Sequence, residues 1–194
     1  MTVCILGNGL TALTLAKALV NQKIYVDILT QKKHLNFGKT RTIGISQSNA
    51  NFFNKDIINI EKILWKLNKI EIFTDNLKNE KLLNFENNNN QLFSTVKVYE
   101  LLKVLEKNLY KNKYFKKKNY SNKNLSCKKH YDIVINCNYS HSITKKYFSK
   151  KIIKKYNSLA YTTIIKHKKI LNNTAVQIFL PFQFFLSHIY NYIF

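Results

Sequence analysis

The chain is poor in the residues that punctuate a backbone. It has one proline and four glycines in 194 residues, a single arginine among 32 basic residues, three cysteines, and only ten acidic residues. Each scarcity excludes a class of protein. Cys4, Cys127 and Cys137 are far apart with no Cys-x-x-Cys pair, which excludes a disulfide framework and leaves reduced thiols as the expected state. One arginine cannot supply the planar forks that read phosphates and base edges. The net charge of +22, carried by lysines scattered along the chain, therefore does not indicate a specific nucleic-acid partner. Asp132 is the last carboxylate, so residues 133–194 hold nine lysines and no acid, a segment that repels itself unless something neutralises it. The five histidines are dispersed, without the spacing of a metal site. No Gly-x-Ser-x-Gly elbow or carboxylate pair supports a nucleophile or acid–base dyad. The N-terminus lacks the basic and apolar regions of a signal peptide, so a cytoplasmic location is expected. With 45% hydrophobic and 13% aromatic residues, the chain has enough apolar surface for a core.

The few glycines are concentrated. All four, Gly7, Gly9, Gly38 and Gly44, and the lone Arg41 fall in the first 44 residues. Thr2–Leu6 reads as an apolar strand, Gly7-Asn8-Gly9-Leu10-Thr11-Ala12 as a turn, and LTLAKALVNQ as a helix. A second strand at Ile24–Leu29 completes a βαβ unit of about 30 residues, its strands parallel and its crossover right-handed. Gly-x-Gly-x-x-Ala in this context is a dinucleotide turn. Gly7 makes the tight bend, Gly9 lets backbone approach a pyrophosphate, and Ala12 lets the helix pack close to the strand. The helix N-terminus, with the amides of Leu10, Thr11 and Ala12, then faces the phosphates. An acidic residue is expected at the end of the second strand to bond the ribose. Thr30 and Gln31 stand there instead, as neutral and weaker acceptors, with Asp27 on the alternate face.

Further along, residues 31–42 read as a polar loop and Ile45–Phe53 as the start of a helix. Ile60, Ile63, Leu64 and Leu67 predict an amphipathic helix over 60–67. Strands at Ile70–Phe73 and Leu82–Phe85 are expected around Asp75-Asn76, followed by an exposed turn at Asn87–Asn90. The stripe Leu101, Leu102, Leu105 and Leu109 predicts a helix over Val98–Leu109. Lys111–Lys129 carries no decisive pattern. Tyr131–Cys137 is an apolar run of the kind buried on both faces of a parallel sheet. A short helix at Ile143–Phe148 and strands at Leu159–Ile165 and Ala175–Leu180 follow, the last ended by Pro181.

Three blocks, GNGLTALTLAKAL, TRTIGISQSN and YDIVINCNYSHS, resemble FAD-dependent aromatic hydroxylases related to para-hydroxybenzoate hydroxylase, closest to the quinone-biosynthesis branch. In that family the first block binds the ADP part of FAD. The second reads approximately Arg-x-x-x-Leu-Ser-x-x-Ser, and Arg41, Ile45, Ser46 and Asn49 take those places. The third reads approximately Gly-Ala-Asp-Gly-x-x-Ser. Here Asn138 replaces the Asp and Tyr139 the second Gly, while Ser142 matches. The resemblance implies an α/β Rossmann-like FAD-binding domain with a parallel sheet, joined to a partial antiparallel substrate-side sheet. It also implies FAD held by Gly7, Gly9, Leu10, Thr11, Ala12, Thr30, Gln31, Arg41 and Asn138. NAD(P)H would be the reductant, O₂ the oxidant, and an aromatic or quinol ring the substrate.

The expected organisation is an FAD-binding domain over 1–150, with a β excursion near 70–95. Part of the substrate-side sheet follows over 151–182, and an aberrant apolar tail over 183–194. The resemblance covers residues 1–182, about the first half of a family member, without the catalytic half. For the tail, peripheral contact with an anionic membrane and out-of-frame sequence both stay open, since it is shorter than the ~20 residues that span a bilayer. Two other readings of the whole also stay open. One is an inactive or partner-dependent remnant, the other a basic protein that binds membrane or nucleic acid.

Overall fold

The computed structural model describes residues 1–30, 39–74, 80–86, 91–119, 131–148, 150, 152, 154, 173–180 and 183–187. Gln31, Gly38, Asp75-Asn76, Asn87–Asn90, Pro181 and the strand expected at Leu159–Ile165 lie outside them.

The N-terminal unit folds as its pattern dictates. Strand β1 (Thr2–Leu6) enters helix α1 (Leu10–Asn21), which returns to strand β2 (Tyr25–Thr30). β1 and β2 pair in parallel, Thr2 beside Tyr25 and Leu6 beside Leu29. β3 (Thr42–Ser46) leads into α2 (Gln47–Phe52), followed by short strand β4 (Trp65–Leu67) and the hairpin β5 (Lys69–Thr74) and β6 (Lys81–Glu86). Then come β7 (Phe93–Lys97) and helix α3 (Val98–Leu109), β8 (Phe115–Asn119), β9 (Ile133–Asn136) and helix α4 (Ser142–Tyr147). β10 (Thr174–Leu180) and β11 (Gln183–Ser187) close the described chain.

These strands form three sheets. The first is parallel throughout, in the order β8-β2-β1-β9. The second, β3-β7-β4, is antiparallel. The third, β11-β10-β5-β6, is antiparallel except where β10 runs parallel to β5. Helices α1 and α3 pack together on one face of the first sheet. There Val3, Ile5, Ala12, Leu13, Ala16, Val26 and Ile28 meet Leu101, Leu102, Leu105 and Leu109 in one apolar core. The leucine stripe of α3 is therefore core, as its helical spacing required.

Five segments differ from the sequence expectation or add to it. Ile60–Leu67 is a 3₁₀ turn at Glu61–Ile63 followed by β4, because residues 65–67 hydrogen-bond along β7. Ile60 and Leu67 are buried all the same, so the apolar spacing marked core positions and not a helix. The helix expected over Ile45–Phe53 begins later, since Thr42–Ser46 pairs with β7; Ser46 then caps α2, its hydroxyl accepting from the Asn49 N–H at 3.2 Å. The undecided stretch Lys111–Lys129 supplies β8, an edge strand beside β2. Among the described residues β9 is the opposite edge, and Ile133 and Val134 are exposed (45% and 37%) where burial on both faces was expected. Gln183–Ser187, the first part of the expected tail, pairs antiparallel with β10.

Candidate functional site

The glycine turn lies at the C-terminal end of β1, where a parallel sheet opens its ligand crevice. Gly7 has φ +126°, a conformation open in practice only to glycine. Its N–H donates to the Leu29 carbonyl at 3.1 Å, which ties the turn to the end of β2. On the other side it abuts the third sequence block. A Cβ on Gly7 would lie 3.4 Å from the Cys137 carbonyl carbon, and the Cys137 N–H donates to the Leu6 carbonyl at 2.9 Å. Pairing of β1 with β9 thus brings the first and third blocks, about 130 residues apart in sequence, side by side at the turn.

Gly9 is the N-cap of α1, with extended backbone and no side chain capping the helix. Among the described residues a Cβ there would meet nothing within 4 Å, which leaves room beside the turn for a ligand. Thr11 is exposed at the helix start, Leu10 is half-buried against the apolar core, and Ala12 is fully buried. No acidic residue occupies the first turn, so the positive end of the helix is unneutralised there.

The other expected cofactor residues have more committed geometry. Thr30 is buried, and its hydroxyl donates to Asn119 Oδ1 at 3.0 Å. Asn119, at the end of β8, joins this corner only through strand pairing, and nothing in its lysine-rich segment signalled it. Asn138 is used within its own turn: its N–H donates to Asn136 Oδ1 (3.0 Å), and its Oδ1 accepts from the Ser140 N–H (3.1 Å). Its carbonyl accepts from the His141 N–H and the Thr144 hydroxyl. His141, overlooked in the sequence, is buried and caps α4, with Nδ1 accepting from the Ile143 N–H at 3.1 Å. Burial lowers the imidazole pKa and raises that of the Cys137 thiol. Arg41 precedes β3 in the second sheet, its carbonyl accepting from Val98 N–H, and its side chain is solvent-exposed. Gln31 lies outside the described residues. Asp27 is not a ribose partner in this arrangement: its carboxylate accepts from Lys118 Nζ (2.5 Å) and the Tyr131 hydroxyl (2.6 Å).

No protein-family profile and no curated protein matches the sequence. Solved structures do match the fold. The p-nitrophenol 4-monooxygenase PnpA from Pseudomonas putida superposes with a TM-score of 0.51 at 13% identity, covering 61% of this chain and 32% of that one. PqsL from Pseudomonas aeruginosa, described as a probable FAD-dependent monooxygenase, gives 0.51 at 12% identity over 61% of this chain and 32% of its own. The complex of PqsL with 2-aminobenzoylacetate gives 0.52 at 13% identity, covering 61% and 33%. At such identities the likeness defines a fold: the chain has the mixed α/β architecture of FAD-binding monooxygenases, and it spans about a third of these structures. Among the described residues no helix is long and apolar enough to cross a membrane.

Proposed function

We propose that this chain is the FAD-binding part of a flavoprotein monooxygenase acting on an aromatic or quinol ring, with NAD(P)H as reductant. One observation carries the reading: a glycine forced to φ +126° and an unhindered Gly9 join the first parallel strand to an uncapped helix. That cradle fits a pyrophosphate, which needs close backbone approach and a positive helix end. Gly7 and Gly9 would shape it, the first-turn amides of Leu10, Thr11 and Ala12 would hold the phosphates, and Arg41 would lie beside the flavin. Thr30 and Gln31 would meet the ribose as neutral groups, so the adenosine half is held more weakly than by a carboxylate. Bound FAD would supply the electron transfer and oxygen activation; the protein's part is to bind, orient and shield. Asn138, with its side-chain oxygen already accepting a hydrogen bond, would position the third block against Gly7 more than contact the cofactor.

The test is a titration of purified protein with FAD, followed by quenching of flavin fluorescence. Saturable binding is expected, weakened at least tenfold by Gly9→Val. A folded protein that leaves flavin fluorescence unchanged would overturn the reading.

A further inference from the structure

A second concave feature lies on the first sheet, away from the glycine turn. Strand register puts Thr2, Tyr25, Asp27 and Lys116 on the same face of β1, β2 and β8, opposite the face that packs on α1 and α3. A cleft of about 160 Å³ opens there. Its aromatic walls are Tyr25, Tyr114 and Tyr131, with Tyr25 and Tyr114 packed edge to face at 4.9 Å between ring centroids. Its cations are Lys113, Lys116 and Lys118. The carboxylate of Asp27 is the single acid among them, and it is engaged by Lys118 and by the Tyr131 hydroxyl. Among the described residues neither Lys113 nor Lys116 has a carboxylate within ion-pair distance; the Lys113 ammonium sits 5.3 Å from the centre of the Tyr114 ring. Three lysines against one carboxylate, with the Lys113 ammonium beside the Tyr114 ring, leave the recess with an excess of positive charge next to aromatic surface, complementary to a flat anion.

Size narrows the ligand. An apolar cavity of roughly 150 Å³ takes one benzene ring. We propose that this cleft binds a single-ring aromatic anion, its ring against Tyr25 and Tyr114 and its carboxylate or phosphate neutralised by Lys113 and Lys116. Thr2 and Leu6 are at opposite ends of β1, roughly 13 Å apart at the rise of an extended strand. The cleft is therefore separate from the glycine turn, and this assignment does not rest on flavin binding.

Phenyl phosphate is the probe, titrated into the full chain at low salt and followed by saturation-transfer NMR. Saturable binding is expected, weakened at least tenfold by Lys116→Gln and by Tyr25→Leu but unchanged by Gly9→Val. Both positions are exposed, so the variants are expected to keep the wild-type circular dichroism, which is checked alongside. Three outcomes overturn the assignment: no saturation, binding that survives Lys116→Gln, or inorganic phosphate competing as well as phenyl phosphate. An oligonucleotide that displaces the probe more strongly as it lengthens would also overturn it, in favour of a polyanion surface.

Discussion

Gly7 and Gly9 share a motif but do different physical work, and substitution separates them. Alanine at Gly7 would hold an L side chain at φ +126° with its Cβ 3.4 Å from Cys137. A loss of about 1–3 kcal/mol in urea unfolding is expected. Valine at Gly9 meets open space on an ordinary backbone, so stability should change by about 1 kcal/mol or less while flavin affinity falls. His141 gives a pH signature. Its folded-state pKa lies below the ordinary value of 6.5, so the folded state resists protonation. Its stabilising contribution is complete above pH 6.5 and is lost as pH falls from there through the lower folded value. Melting temperature should drop across that window, and His141→Asn, which keeps a capping acceptor, should flatten the drop. Asp132 acts in a separate, more acidic window. Its carboxylate accepts from the Thr2 N–H at 2.7 Å, which lowers its pKa, so that contribution is lost as pH falls below 3.8.

Elements were legible where one local rule was enough. α3 has an apolar stripe on one face and a polar remainder, and the stripe packs on α1 as the period requires. Leu105→Ala, at a fully buried position, should cost about 2–5 kcal/mol by urea unfolding. Segment 60–67 was illegible for the opposite reason. Ile60 and Leu67 satisfy both a helical spacing and a turn followed by a three-residue strand, and only β7 alongside decides between them. β8 could not be read because it is an edge strand whose lysines suit an exposed edge and give no apolar alternation. β9 was read as a strand from its apolar run, but whether another strand flanks it is not a local property.

For the whole molecule the dominant quantity is charge. Seven ion pairs among the described residues engage a small part of 32 basic side chains, so a net +22 opposes the compact state. Raising sodium chloride from about 0.05 to 0.5 M shortens the Debye length from roughly 14 to 4 Å, and melting temperature should rise with it. A melting temperature independent of salt would show that the lysines are too far apart to matter.

The sequence by itself determined the βαβ unit, the position of the glycine turn and the core face of α3. These depend on backbone permissiveness and on periods of two and 3.6 residues, which are properties of neighbouring residues. Tertiary structure alone decided that Cys137 closes against Gly7, that Thr30 bonds to Asn119, and that Asn138 serves its own turn. It also placed Tyr25, Lys116 and Tyr131 around one cleft. Each of these joins residues from separate strands, and strand order is set by long-range burial and pairing that no local stretch encodes.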